Sequence, residues 1–333
     1  MGASIKAISY YLPEKILGNE ELSKVFPEYS PEEIFRRSGV RERHISADGE
    51  LPSDMAVKAA EKLFAEHAID RNTIDFLIFC TTLLDRQAPA TACLLQDRLK
   101  LSTRIGAIDA PMGCSGYIYA MSLAKSVIYG GIAKNVLVLA GDCTTKTIHP
   151  KDHALRLLFG DAMTATLVIQ STEENIGSFV LGSDGGNSKS LIIKECNARE
   201  NASLEWQEKN KDAGGMSYGR LYMDGMEVLS FTLKVVPQMV YEVLEKEHLT
   251  MDDIDMFIFH QPGGFVLEKL RRKLKIPEEK FFVNIMNRGN TVSATVPVAV
   301  YDAMHAGKIK KGQRILIAGF GIGLSWGATV IVL

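Results

Sequence analysis

The chain has 333 residues, 46% of them hydrophobic and 23% charged, a composition that suits a soluble globular protein with one large or two medium cores. Lys and Arg number 38 against 40 Asp and Glu, so the net charge of −2 provides no broad field for nucleic acid or an anionic membrane surface, and small molecules or proteins are the expected partners. The five cysteines (Cys80, Cys93, Cys114, Cys143, Cys196) are odd in number and contain no CxxC, which argues against a disulfide framework or a structural zinc and fits a reducing cytoplasm.

The N-terminus, MGASIKAISYYLPEK, lacks a cationic segment followed by an apolar run, and no apolar stretch is long enough to span a membrane. Ile5 to Leu12 alternates in part and reads as a strand ending at Pro13. Residues 19 to 38 read as two helices, the second opened by Ser30 and Pro31 and closed by Gly39. Gly39 to Ser46, GVRERHIS, reads as a charged loop whose cations either hold phosphates or are merely solvated. Pro52 to His67 has the spacing of an amphipathic helix, Ile74 to Cys80 that of a buried strand, and Cys93 to Leu99 lies in a further helix.

The segment Ile105 to Val127, IGAIDAPMGCSGYIYAMSLAKSV, reads as a strand, a turn broken by Pro111 and Gly113, and a long buried helix with Cys114 at its entrance. Unpaired N–H groups at a helix start favour a thiolate, and Gly113 and Gly116 are expected to leave room for a substrate carbonyl. The competing reading is a small buried hydrophobe. A strand follows in NVLVLAGD and another in FGDAMTATLVIQ, and residues 184 to 220 read as a surface excursion that covers a site or an interface.

The second half then repeats the first. Ile74 to Cys80 (IDFLIFC) matches Ile254 to His260 (IDMFIFH) at an offset of 180, and Leu137 to Gly141 (LVLAG) matches Ile315 to Gly319 (ILIAG) at 178. We therefore expect a duplicated α/β chain of two halves, 1–172 and 173–333, with βαβαβ units stacked as an αβαβα sandwich. Corresponding strand ends then meet in one cleft that collects Cys114, His260 and Asn290. Taken alone, His260 fits a hydrogen-bonded strand end and Asn290 a helix cap or Asx turn. The glycines of AGFGIGLSWG lead into a strand and not a helix, so they fit an oxyanion-binding turn or a plain tight hairpin better than a dinucleotide site.

SGVRERH, GCSG, FGDA, HQ at 260 and 261, GNT with Pro297 beyond it, and GFGIGLSWG together resemble the β-ketoacyl-acyl-carrier-protein synthase III family of the thiolase superfamily, along essentially the whole chain. The resemblance implies a homodimeric acyltransferase with Cys114 as acyl-accepting nucleophile. His260 and Asn290 would polarise the malonyl thioester carbonyl, and the amides of Cys114 and of a residue at or beside Ile322 would form the oxyanion hole. Coenzyme A and phosphopantetheine thioesters are then substrates, and no metal, flavin or nicotinamide is implied.

The chain also departs from the family pattern. Glu33 and His153 stand where a tryptophan and an arginine sandwich the coenzyme A adenine, although Arg37 matches a nucleotide-side cation. Ala88 replaces a bulky phenylalanine that reaches across the dimer, which implies a deeper acyl pocket. Gly263 and Phe265 replace a polar residue and a carrier-docking cation, leaving Arg271, Arg272 and Lys273 either to dock an acidic carrier protein or to form a solvated helix face. Three functions stay open: starting fatty-acid chains from an acyl-coenzyme A, a specialised condensation or transfer for a secondary metabolite or glycan, and a catalytically weak partner subunit.

Overall fold

The computed structural model describes residues 2–193 and 220–333. The first half supplies β1 (Gly2–Tyr11), a two-stranded ribbon of β2 (Lys15–Gly18) and β3 (Glu42–Ile45), then β4 (Phe76–Cys80), β5 (Gly106–Ala110), β6 (Asn135–Asp142) and β7 (Ala162–Ser171). Five of these form one sheet in the order β1-β7-β6-β4-β5, with β4 parallel to both β5 and β6. The second half supplies β8 (Val180–Ser183), a ribbon of β9 (Leu191–Ile193) and β10 (Leu221–Met223), then β11 (Met256–Phe259), β12 (Arg314–Gly321) and β13 (Ser325–Val332). Its sheet runs β11-β12-β13-β8, with β11 parallel to β12 and the other pairs antiparallel.

The two sheets share one plan, in which β11, β12, β13 and β8 stand where β4, β6, β7 and β1 stand in the first. A matching aspartate sets each register: Asp75 Oδ2 accepts the N–H of Asn135 at 3.0 Å, and Asp255 Oδ2 accepts that of Arg314 at 2.8 Å. This pairs Val136 with Ile315, one residue away from the match of Leu137 with Ile315 read in the sequence. In a strand a one-residue slip exchanges faces. The apolar string conceals the slip because both β6 and β12 are buried on both faces past their first residue.

Helices fill the space between the sheets and cover their outer faces. The inner layer is Gly116–Tyr129 and Thr295–His305, whose Tyr117, Ile118, Met121, Val296 and Val300 pack with Ile78, Val138, Ile258 and Ile317. Alternate residues of the same strands, Leu77, Phe79 and Leu139, point outward against the helix Pro52–Glu66, while Phe257, Phe259 and Leu316 meet the helix Gly225–Lys246. The five layers are those of the expected α/β sandwich.

Local departures have physical causes. A register shift between Ile5 and Ala7 breaks the alternation of β1. GVRERHIS is no solvated loop, because Glu42–Ile45 is a strand and Arg43 is fully buried. Its guanidinium donates to Leu17 O at 3.2 Å, Asn19 Oδ1 at 2.9 Å and Leu157 O at 2.8 Å, so it ties the ribbon to the first half and holds no phosphate. Gly39 closes its helix in the left-handed conformation, as expected, with φ of 75°. The excursion read over 184 to 220, and Cys196 in it, lie largely outside the described residues. Among the described residues no helix is long and apolar enough to cross a membrane.

Candidate active site

Cys114 lies just beyond the end of β5, in a turn closed by Gly116 N–H donating to Gly113 O at 2.7 Å. The helix begins only at Gly116, with Ser115 as its capping residue, so Cys114 stands just outside the first turn. Ser115 does not cap by its side chain. Ser325 Oγ donates to Ile322 O at 2.7 Å, so Ser115 Oγ is the donor in its 2.7 Å contact with Ser325 Oγ, and the pair bolts the glycine-rich hairpin to the cysteine turn.

The glycines permit that approach. A Cβ on Gly319 would lie 3.0 Å from Cys114 O, and one on Gly321 would lie 2.8 Å from Cys114 Sγ. Gly113 and Gly116 serve packing and not the substrate carbonyl expected of them: a Cβ on Gly113 would strike Ile322 Cγ2 at 2.2 Å, and one on Gly116 would strike Cys80 Sγ at 2.5 Å. The backbone amides of Ile322 and of Cys114 itself act on the sulfur and draw its pKa down. Burial outweighs them and pushes the thiol up to about 12, so the helix start does not by itself yield a thiolate.

His260 follows β11, held by its N–H to Ala318 O at 2.7 Å, and is buried with the Phe320 ring edge-on at 5.5 Å. Burial draws its pKa down to about 3, so the imidazole is neutral. Its Nδ1 lies 2.7 Å from Thr295 Oγ1. Asn290 is buried and pinned at its backbone by Leu158 O at 2.9 Å and Gly160 N at 3.0 Å. Its Oδ1 accepts the N–H of Val292 at 3.0 Å. That N–H can only donate, which fixes the amide and leaves Nδ2 as the free donor.

Cys114 lines a cavity of about 20 Å³ with Thr82, Phe159, Val292 and Ile322 among its walls. That is room for little more than one water-sized group. Ala88 is exposed and does not border it, so within one chain it cannot deepen the pocket.

The other residues singled out from the sequence lie apart. Arg37 donates to Glu33 Oε1 at 2.8 Å and stacks over Tyr29 at 4.7 Å, and the His153 ring lies 5.4 Å from the same tyrosine. Gly263 caps the helix Gly264–Lys273, and the exposed Phe265 ring packs under Lys269 Nζ at 5.1 Å. Arg271 and Arg272 both pair with Glu268, holding its carboxyl down to about 2. On that face Lys269 and Lys273 stay exposed with no carboxylate partner among the described residues.

Two polar residues near the site escaped the sequence reading. Thr295, which meets His260, sits in the small-residue run NTVSAT and carries no motif of its own. Asp142 is fully buried, with Oδ1 accepting from Thr81 Oγ1 at 2.8 Å, Thr82 N at 2.8 Å and Thr82 Oγ1 at 2.6 Å, while Oδ2 has no partner among the described residues. The aspartate of FGDA is a clamp: Asp161 binds the N–H and hydroxyl of Ser46 at 2.9 and 2.8 Å and the N–H of Thr145 at 3.0 Å.

Residues 244–333 match the family model for the C-terminal part of 3-oxoacyl-[acyl-carrier-protein] synthase III, and residues 108–185 match the model named for that synthase itself. A β-ketoacyl-[acyl-carrier-protein] synthase III of Clostridium perfringens is 36% identical over 99% of both chains. A crystal structure of a 3-oxoacyl-(acyl-carrier-protein) synthase III superposes with a TM-score of 0.95 at 40% identity, covering all of both chains. The priming β-ketosynthase of the R1128 polyketide pathway superposes at 0.89 with 27% identity over all of this chain and 96% of that one.

Proposed function

Since the chain belongs to the 3-oxoacyl-[acyl-carrier-protein] synthase III family, we propose that Cys114 takes the acyl group from a thioester and that a malonyl carrier then condenses with it, losing carbon dioxide. The observation that carries this is the close approach of Gly319 and Gly321 to the cysteine turn, together with the downward pull of the Ile322 and Cys114 amides on the thiol's pKa. Those two amides are the donors for the oxyanion that forms when the thiol adds to the acyl carbonyl. The donor thiol leaves and the acyl group stays on Cys114.

In the second half, Asn290 Nδ2 and the neutral His260 hold the malonyl thioester oxygen while carbon dioxide departs. The enolate carbon attacks the acyl-cysteine, and the cysteine sulfur leaves. Neutral donors suit this step, because they stabilise the enolate without readily giving it a proton. No cofactor enters either half, and coenzyme A and phosphopantetheine thioesters serve as substrates.

The Glu33–Arg37 pair makes a carrier-protein donor as suitable as coenzyme A, because it already engages the cation on the nucleotide side. Lys269 and Lys273 are the cations of the Gly264–Lys273 helix left to meet an acidic carrier, with Arg272 committed to Glu268. The free edge of β5, with Ile108 exposed beside it, supports a homodimer. A reducing cytoplasm suits the free thiols of Cys80, Cys93, Cys114 and Cys143. The likeness to the polyketide priming enzyme supports a second reading, the same chemistry serving a secondary metabolite.

Intact-mass analysis after incubation with acyl-coenzyme A and acyl-carrier panels of increasing length tests the scheme, with Cys114→Ser as control. The expected result is an acyl mass on Cys114 that malonyl carrier discharges as a product two carbons longer, the loaded chain naming the substrate. Loading without discharge would point to acyl transfer to another acceptor, and no loading from any donor would leave the partner-subunit reading.

A further inference from the structure

We propose that Asp302 is a positioning residue that sets the spacing of His260 and Asn290, and so serves the decarboxylation half of the reaction alone. The inference rests on the reading of those two side chains as the pair that holds the malonyl thioester oxygen.

Asp302 lies near the far end of the helix Thr295–His305, two turns beyond Thr295 and so on the same face of the helix. Its carboxylate collects donors from distant parts of the chain. The Tyr10 hydroxyl donates to Oδ1 at 2.9 Å, and Asn284 Nδ2 donates to Oδ2 at 3.0 Å. Arg288 Nη2 stands 3.4 Å from Oδ2 and also donates to the Tyr10 hydroxyl at 3.3 Å. The Arg288 and Asp302 side chains are 27% and 19% exposed, so water and salt screen the pair less than they would on an open surface. Tyr10 belongs to β1, which fixes the carboxylate to the first sheet.

The other two donors lead to the two groups of the site. Asn284 N–H donates to Gln261 Oε1 at 3.2 Å, and Gln261, next to His260 in the chain, is buried and donates through Nε2 to Phe259 O at 2.7 Å. The backbone N–H only donates and the carbonyl only accepts, so the Gln261 amide has one orientation and links Asn284 to the end of β11. Arg288 lies two residues before Asn290. Gly289 between them turns with φ of 69°, and a Cβ on it would lie 2.9 Å from Leu158 O, the carbonyl that takes the Asn290 N–H. The link from the ion pair to Asn290 is therefore one closely packed residue long.

Cys114 is held by other contacts. The Ser115–Ser325 pair and the bond from Ser325 to Ile322 O tie its turn to the glycine-rich hairpin, and Asp302 has no part in them. Loss of the carboxylate thus frees the His260 and Asn290 segments from each other and leaves the sulfur and its two amides in place.

Single-turnover measurements on the full chain separate the halves. Cys114 is loaded from acetyl-coenzyme A, followed by intact mass, and the acyl-enzyme is then chased with malonyl carrier protein. In Asp302→Leu we expect loading within about twofold of wild type and discharge slowed roughly tenfold to a hundredfold, the loss that displacement of about 1 Å brings. Asp302→Glu, which keeps the charge and both acceptors, should recover part of the discharge rate. Asn284→Ala and Arg288→Gln each cut one link and keep the carboxylate, so they carry the test if Asp302→Leu does not fold, and each is expected to slow discharge without slowing loading. Discharge at the wild-type rate in these variants overturns the proposal, as does an equal slowing of loading and discharge, which would mark a general loss of structure. Wild type itself distinguishes the two levels: failure to load or to discharge removes the reading of the site and this proposal with it, whereas normal wild-type discharge beside an unimpaired Asp302→Leu removes only the role of Asp302.

Discussion

Among the described residues Asp142 has three hydrogen bonds on one carboxylate oxygen and none on the other, in a fully buried place. Burial, opposed by those three bonds, pushes its pKa from 3.8 up to about 7. A folded-state pKa above the unfolded one means that the native state binds the extra proton. The stability from that proton is complete below about pH 4 and is lost as the pH rises through 7. Unfolding by urea at a series of pH values should therefore show wild type losing stability relative to Asp142→Asn between pH 4 and 8, by up to about 4 kcal/mol. A difference that stays flat would mean the carboxylate is already ionised at low pH. No local pattern signals this, since Thr81 and Thr82 lie about sixty residues from Asp142 and the parallel β4–β6 register brings them together. Arg43 escaped for a related reason: a cation between other charges reads as solvated until the carbonyls that bind it are in place.

At the scale of elements, legibility followed periodicity. The helix expected at Pro52 to His67 is found at Pro52–Glu66, and the buried strand expected at Ile74 to Cys80 at Phe76–Cys80. The nucleophile turn is legible as a break in pattern, but its glycines, which read as room for the substrate, serve packing: Gly113 against Ile322 of the hairpin opposite and Gly116 against Cys80 of β4. Shape complementarity between distant segments has no local sequence signature, and β12 meets the cysteine turn across some two hundred residues of chain. The contact can be tested at Gly321, where a methyl group would sit 2.7 Å from Cys114 Cβ and 2.8 Å from Sγ, closer than side-chain carbons approach other atoms. Gly321→Ala must displace the thiol or the Ile322 amide, and misplacement of about 1 Å costs on the order of a hundredfold in rate. Single-turnover acylation should fall by about that factor, while Gly185→Ala, where a Cβ meets nothing within 4 Å, leaves it unchanged. A wild-type rate in Gly321→Ala would mean that the hairpin does not constrain the sulfur.

For the whole molecule, the duplicated plan leaves one edge unaccounted for. Among the described residues β5 pairs in the first sheet only with β4, and its outer edge has no strand partner. An exposed edge is a template for another strand, and soluble proteins commonly protect one with charge, proline or a covering segment. Here Gly106–Ala110 holds a single charge, Asp109, whose carboxylate is turned inward to the N–H groups of Thr91 and Ala92 at 2.7 Å, while Ile108 stands 45% exposed. Such an edge fits antiparallel pairing with the same strand of a second copy about a twofold axis, which would join two five-stranded sheets into one. The same loop region that carries Ala88 runs from β4 toward this side, so pairing is also the condition under which Ala88 can act on a neighbouring pocket. Ile108→Lys places a charge on each copy at the axis, where like charges repel. Light scattering after size exclusion should then show wild type at twice the chain mass and the variant at one chain mass in the micromolar range, with the variant's circular dichroism unchanged. A wild-type protein at one chain mass, or a variant that remains at two, would place the contact elsewhere and leave the edge of β5 to some other cover.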